Sequence, residues 1–191
     1  MLTNLSIFDT MKRFTFFLPL LFGITIFAQS TEIDTLGIDI FSATYTLENN
    51  ILYKTTDQET YNYQNLALGN VTSVDFVNTL EIVVFYADFN AVVILDNRLN
   101  QIHELRFIPT ILFVNKGIVN TIWRYNETAQ VLELYDYKLK KVISSSPVIA
   151  NFVPIEMKSN FNSVTLIGEN KSLIFDQYLA LLETKYHQKN N

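Results

Sequence analysis

The sequence predicts an all-β fold of β-propeller-type blades, about four of them, each about 40 residues long. Three observations carry this: a tetrapeptide pattern that returns at a fixed interval, apolar runs too short to make helices, and the composition. Aromatic residues make up 14% of the chain, with 15 Phe and 10 Tyr, and charged residues only 17%. Aromatic and β-branched side chains suit a pleated sheet, and so apolar a chain is not a disordered one.

The first element is an address. Lys12-Arg13 precede an apolar run over 14–27, and Ala28-Gln29-Ser30 follow it. A basic start, a short greasy stretch and a small residue at its end form a secretory signal peptide, residues 1–28, with Ile26 and Ala28 before the cut and Gln29 after it. Fourteen apolar residues reach about 21 Å as helix, short of a ~30 Å hydrocarbon core, so no membrane span is expected after cleavage. Asp9 sits ahead of this pattern, which makes Met11 the expected true start. Cysteine is absent, which removes disulfides, lipoprotein anchoring and Cys-based zinc sites.

The repeat domain spans 29–186, with a polar tail over 187–191. Asp96-Asn97-Arg98-Leu99, Asp136-Tyr137-Lys138-Leu139 and Asp176-Gln177-Tyr178-Leu179 each read D-x-x-L, and the three copies are evenly spaced. Each follows an apolar run (91–95, 130–135, 172–175) and precedes another strand-like segment (101–107, 140–144, 180–184). Further runs lie upstream at 81–86, 118–125 and 163–167, across short polar turns. Several short strands within each such period is the pattern of a propeller blade. Helical repeats fail, because turns interrupt each run before a helical stripe develops. A weaker copy comes first, through 51–55, 59–63 and Leu66, with Tyr63 in the Asp position. The step from Leu66 to Leu99 is shorter than those that follow, so this blade or the loop after it is expected to be trimmed. The expected innermost strands are 38–46, 71–77, 110–114 and 152–158.

Asp96, Asp136 and Asp176 have a structural reason to recur. Each carboxylate can accept a backbone N–H two residues on and close the turn between two strands. The Leu then starts the next strand facing inward. Three carboxylates converging on a cation is the competing reading, but turns that radiate outward do not share a centre.

Asn70 to Asp75, Phe85 to Asn90 and Ile94 to Leu99, taken together, resemble exported propeller proteins of Bacteroidetes of the broad WD40/NHL/YncE-like kind. The resemblance covers about residues 50–185. It implies fold and export and brings no established activity. It also implies rings of six or seven blades, whereas this sequence holds about four, as a closed small ring or part of a larger one. A partial ring would expose two blade faces rich in Val, Ile and Phe, and self-association is expected from them.

The chemistry is sparse. A formal charge of −5 supplies no basic field for nucleic acid. His103 and His187 form no metal or acid–base spacing. Ser144-Ser145-Ser146-Pro147 lack the G-x-S-x-G setting and read as a loop. With five glycines there is no phosphate loop, and no cofactor or metal is expected. Trp123-Arg124-Tyr125 is the candidate partner-binding cluster, since Trp, Tyr and Arg dominate binding hot spots. Its competing reading is aromatic packing between blades. The leading function is a non-enzymatic binding module for a protein, peptide or glycan. One alternative is a lactonase-like hydrolase with Asp75, Asp88 and Glu156 near the axis; another is a shortened paralogue with no independent role.

Overall fold

The computed structural model describes residues 33–187. The signal peptide and the start-site reading lie outside the described residues. Four antiparallel sheets of four strands follow one another along the chain, each running from an inner strand to an outer one. Blade one holds β1 (Ile33–Ile38), β2 (Thr44–Glu48), β3 (Ile51–Thr55) and β4 (Thr60–Tyr63). Blade two holds β5 (Ser73–Asp75), β6 (Ile82–Tyr86), β7 (Ala91–Leu95) and β8 (Gln101–Arg106). Blade three holds β9 (Ile111–Lys116), β10 (Thr121–Asn126), β11 (Val131–Asp136) and β12 (Lys141–Ser145). Blade four holds β13 (Pro154–Ser159), β14 (Ser163–Gly168), β15 (Lys171–Asp176) and β16 (Leu181–Tyr186). The fold is all-β and of the β-propeller kind.

Burial explains why the blades stack. In β6 and β7 every residue is buried, so blade two is apolar on both faces and must be covered twice. Tyr45 and Leu52 cover one face from blade one, packed against Val84 and Val93. Ile122 and Tyr137 of blade three cover the other, against Phe85 and Ile94. A third cluster joins Trp123 and Leu134 of blade three to Val164 and Phe175 of blade four. Each fully buried side chain of this size is worth roughly 1.5–3 kcal/mol over its exposed state, so the three seams dominate stability.

The outer turns work as their residues imply. Asp96 Oδ1 accepts the N–H groups of Arg98 at 2.8 Å and Asn100 at 2.9 Å. Asp136 Oδ1 accepts from Lys138 at 2.8 Å and Leu139 at 2.7 Å. Asp176 Oδ1 accepts from Tyr178 and Ala180, both at 2.8 Å. Burial pushes the Asp96 carboxyl up, yet hydrogen bonds from Asn100 and Arg98 outweigh it and hold the group below its ordinary value. Its contribution is therefore complete above the ordinary Asp range and disappears as pH falls through the lowered value.

Four expectations need correction. The innermost strand of blade one is 33–38, and 39–43 within the expected strand forms the turn after it. Blade one keeps the full period: Thr56 Oγ1 accepts from Glu59 N at 3.0 Å, so a hydroxyl does the work of Asp96 one repeat earlier. Leu99 and Leu179 are buried, at 2% and 3% exposure, but within their turns, whereas Leu139 is 63% exposed. Blade three has one more residue before its left-handed position, Lys140 at φ 54, and Tyr137 fills the seam instead. Lastly, Ser144 and Ser145 end β12, and Ser146 Oγ accepts from Leu132 N at 3.0 Å.

A second ladder repeats at the opposite ends of the blades. Asn50, Asn90, Gln130 and Asn170 recur at the same interval as the Asp series, in the turns between second and third strands. Asn50 and Asn90 adopt left-handed φ values of 65 and 48, which short polar side chains tolerate best after glycine. Asn90 Nδ2 donates to Phe107 O at 2.6 Å, and its Oδ1 accepts from Ile111 N at 3.0 Å. Asn50 does the same one unit earlier, with Gly69 O at 2.8 Å and Val71 N at 2.6 Å. One amide thus fixes the chain where it crosses from an outer strand to the next inner one.

The outer faces of the end blades mix apolar and polar side chains. Alternation turns Tyr45 and Leu52 toward blade two, leaving Thr44, Thr46, Glu48 and Tyr53 on the far face together with Ile33, Ile38 and Ile51. In blade four Val164, Leu166 and Phe175 face blade three, leaving Ser163, Thr165, Ile167 and Ile174 outward. Among the described residues no cluster of buried side chains joins these two faces. Both outer faces thus set hydroxyls beside isoleucines, where the seams carry Val, Leu and aromatic rings.

The turn and the end faces can each be tested. Asp136→Ala should cost about 0.5–2 kcal/mol in urea denaturation, and Asp136→Asn less, because the amide oxygen still accepts the turn N–H groups. In light scattering the chain cut before Gln29 should stay monomeric as concentration rises, since Thr, Ser and Glu side chains interrupt the isoleucines on both outer faces. Growth of mass with concentration would restore the association expected from the sequence.

Candidate functional site

The innermost strand of each blade has a neighbour on one side only, so its other edge faces the axis. Four such strands converge there, and their side chains line an axial groove: Leu36 on β1, Ser73 and Asp75 on β5, Asn115 on β9, and Glu156 and Lys158 on β13. Alternation on β5 places Ser73 and Asp75 on one face and Val74 on the other, a pattern in which polar and apolar residues trade places at every step.

Asp75 is the tie across this groove. Its Oδ2 accepts the backbone N–H of Lys116 at 2.7 Å from blade three and the Ser159 hydroxyl at 3.2 Å from blade four. Its Oδ1 accepts from Val77 N at 2.9 Å. One carboxylate of blade two therefore holds the inner strands of blades three and four in place. These bonds use both oxygens, and the residue is buried.

Beside it lies a buried cation. The Lys116 side chain is 2% exposed, and its Nζ sits 3.1 Å from Glu81 Oε2. The ammonium also donates to the carbonyls of Gly117, at 2.9 Å, and of Val119. Burial pushes the Lys116 ammonium down, and the Glu81 carboxylate resists that shift. Glu81 accepts the Tyr137 hydroxyl at 2.6 Å, and burial together with this bond raises the Tyr137 phenol. The chain Lys116–Glu81–Tyr137 joins the inner turns of blades two and three. A depression next to it is bounded by Val77, Asn78, Ile118, Val119, Asn160 and Phe161.

Trp123, Arg124 and Tyr125 do not reach this groove. They are 0%, 7% and 2% exposed, inside the seams of blade three. Trp123 and Tyr125 pack toward blade four. Arg124 faces blade two, where its Nε donates to Glu133 Oε2 at 2.6 Å. Its guanidinium lies between Phe107, 4.6 Å away, and Tyr135, at 4.4 Å. Asn126 Nδ2 completes the unit by donating to Glu133 Oε1 at 3.2 Å. A partner touching the folded surface meets none of these three side chains. Sequence alternation gives their two faces correctly but not that both faces are covered.

Asp75 and Glu156 do line the axis, whereas Asp88 lies on a short 3-10 turn after β6, at the end carrying the Asn ladder. Among the described residues no three His, Asp or Glu side chains gather as metal ligands. His103 packs 5.1 Å from Tyr137 in a seam. His187 Nε2 lies 2.8 Å from Ser172 Oγ, on blade four away from the groove. The residues that the sequence reading passed over are Lys116 and Glu81. Isolated charges in strand-like segments carry no pattern, and only the fold brings them together.

No protein-family model matches the chain, and no curated protein is significantly similar to it in sequence. Solved structures are similar in fold. A catalytically inactive virginiamycin B lyase from Staphylococcus aureus with quinupristin matches at TM-score 0.58 and 11% identity, over 82% of this chain and 56% of that one. BamB from Moraxella catarrhalis matches at TM-score 0.53 and 12% identity, over 81% and 48%. The Neurospora crassa Pan2 WD40 domain matches at TM-score 0.51 and 11% identity, over 74% and 48%. The chain spans about half the length of these structures. At such identities the likeness is one of fold: a β-propeller with WD40-like neighbours, some of them lyases.

The charged pairs can be ranked by burial. Arg124→Ala should cost about 3–5 kcal/mol, because it strands Glu133 and Asn126 in a dry seam. Lys116→Ala should cost about 3 kcal/mol for the same reason, tempered by the partial exposure of Glu81. Arg106→Ala, in a pair whose side chains are 55% and 31% exposed, should cost less than about 1 kcal/mol. Urea midpoints of the three variants, at unchanged slope, check the order.

Proposed function

We propose that the chain is an exported, non-catalytic β-propeller binding module that takes an extended polypeptide segment along its axial groove. One observation carries this reading: four inner strands turn unpaired edges toward a groove lined by Ser73, Asn115, Glu156 and Lys158. An unpaired strand edge offers backbone donors and acceptors at regular spacing, the feature extended peptides use when they add to a sheet. Mixed side chains along the groove then select among sequences.

Catalysis is not needed to account for this site. Asp75 is committed to three hydrogen bonds within the fold, which leaves Glu156 as the groove carboxylate nearest to it with access to a ligand. Export rests on the grammar of residues 12–30. Among the described residues no helix is long and apolar enough to cross a membrane.

The test is selection from a random peptide library on the chain beginning at Gln29. Selected peptides should bind, and Asn115→Arg, which fills the groove, should weaken them at least about tenfold, or about 1.4 kcal/mol. Ile108→Ser, at the far end of the blades, should leave them unchanged. Equal loss from both variants would remove the groove from the argument. One tightly bound divalent cation per chain in metal analysis would favour the hydrolase alternative. Mass spectrometry of the protein from its native cell should find Gln29 at the N-terminus, and an intact Met1 form would end the export reading.

A further inference from the structure

Because each blade is an antiparallel meander, the turn between its first and second strands and the turn between its third and fourth lie at one end. The inner turns of this end are closed by their own polar groups. Asp39 Oδ1 accepts from Phe41 N at 2.8 Å, Asn78 Oδ1 from Leu80 N at 3.0 Å, and Asn160 Oδ1 from Asn162 N at 2.8 Å. In blade three Thr121 Oγ1 donates to Ile118 O at 2.5 Å, with Lys116 beneath. The side chains at the tips take no part in this closure. They are Phe41, Leu80, Val119 and Phe161, exposed by 74%, 65%, 77% and 59%.

Turn tips ordinarily carry Gly, Asn, Asp or Ser, each for a conformational or hydrogen-bonding reason. Here all four inner turns carry a large apolar side chain that neither closes the turn nor enters a seam. Val119 is the sharpest case: a β-branched residue at φ 46, where glycine or asparagine is favoured. Leu139 and Tyr178, at 63% and 61% exposure, add apolar tips on the outer turns of blades three and four.

Charge distinguishes this end from the other. Arg98, Lys138 and Lys140 are exposed on its outer turns, with Lys141 just beyond, while Asp96, Asp136 and Asp176 turn an oxygen inward to backbone N–H groups. Its acids are Asp57 and Glu59 of blade one, where Glu59 accepts the Tyr61 hydroxyl, and the partly exposed Asp96 and Asp176 beside the cations. The opposite end also exposes apolar residues, Ile108 and Val153 among them, set among Asp88, Glu127 and Glu169 with Arg106 and Lys185 as exposed cations. In a chain of net charge −5, four exposed cations, Arg98, Lys138, Lys140 and Lys141, thus stand on or beside the outer turns of one set of apolar tips.

We propose that this end docks on an anionic lipid surface, with Leu80, Val119 and Phe161 entering the interface and Arg98, Lys138 and Lys140 meeting the headgroups. Apolar side chains beside Lys and Arg are the pairing by which peripheral proteins hold to such surfaces. The tips stand on four separate turns across one end, Val119 and Phe161 at the rim of the depression beside Asn78 and Asn160, and Phe41 and Leu80 apart from it, a spread that suits a planar, fluid partner.

The test is co-sedimentation of the chain beginning at Gln29 with phosphatidylcholine vesicles, with and without phosphatidylglycerol. Binding should require phosphatidylglycerol and weaken as salt rises. Lys138→Glu with Lys140→Glu should lower it by more than about fivefold, the loss expected from removing a single cation. Phe161→Ser should also weaken it. Val119→Asn should reduce binding while raising the melting temperature, since Asn accepts the left-handed backbone; a purely structural role would move both the same way. Ile108→Ser should change nothing. Absence of phosphatidylglycerol-dependent binding, or equal loss from Ile108→Ser, overturns the proposal. Binding of polyglutamate at the same residues without vesicle binding would overturn it in favour of an acidic protein partner.

Discussion

A sheet with two apolar faces cannot stand alone in water, and the architecture follows from that constraint. Blade two is buried through every residue of β6 and β7, so it needs a neighbour on each side. Blade three repeats the requirement through β10. The end blades relax it, since β2 and β14 alternate Thr or Ser with Tyr, Leu and Val. The seams supply the driving force, and among the described residues no buried cluster covers the outer faces of blades one and four.

Polar groups then decide how the stacked sheets are aligned. Apolar packing is tolerant of small slides, but a carboxylate or an amide with fixed partners is not. Asp75 ties three inner strands together, and Asn50 and Asn90 pin the crossings between blades. Arg124, Glu133 and Asn126 add a buried unit within the seam between blades two and three. Such a unit contributes little net stability, because desolvation offsets most of the attraction, but any slide would strand its charges. The same groups shape the groove and hold the turn tips outward.

Much of the fold was legible in the sequence because one physical need recurs at a fixed interval. Asp96, Asp136 and Asp176 announce the turns, and the runs before and after them become β7, β11 and β15 with their outer partners. Blade one shows only as a weaker copy, and its period reads as trimmed, because Thr56 closes its turn with a hydroxyl, which no D-x-x-L pattern can detect. The amide series at 50, 90, 130 and 170 was equally periodic and was overlooked because asparagine in a turn is commonplace. The groove was less legible. Its residues are separated by whole repeats, and Lys116 gains a meaning only once Glu81 lies beside it. Trp123 and Tyr125 misled for a physical reason: the side chains that dominate binding surfaces also dominate the seams between sheets.

The uncovered outer faces of the end blades have a bearing on cooperativity. Blades two and three each own two packed seams, while blades one and four own one apiece. The molecule is then a short one-dimensional lattice whose sites are coupled to their nearest neighbours, with weaker fields at its boundaries. Opening begins at the edges and meets its steepest cost at the centre. The axial groove straddles this gradient: its β5 and β9 walls belong to the rigid middle, and its β1 and β13 walls to the blades that loosen first.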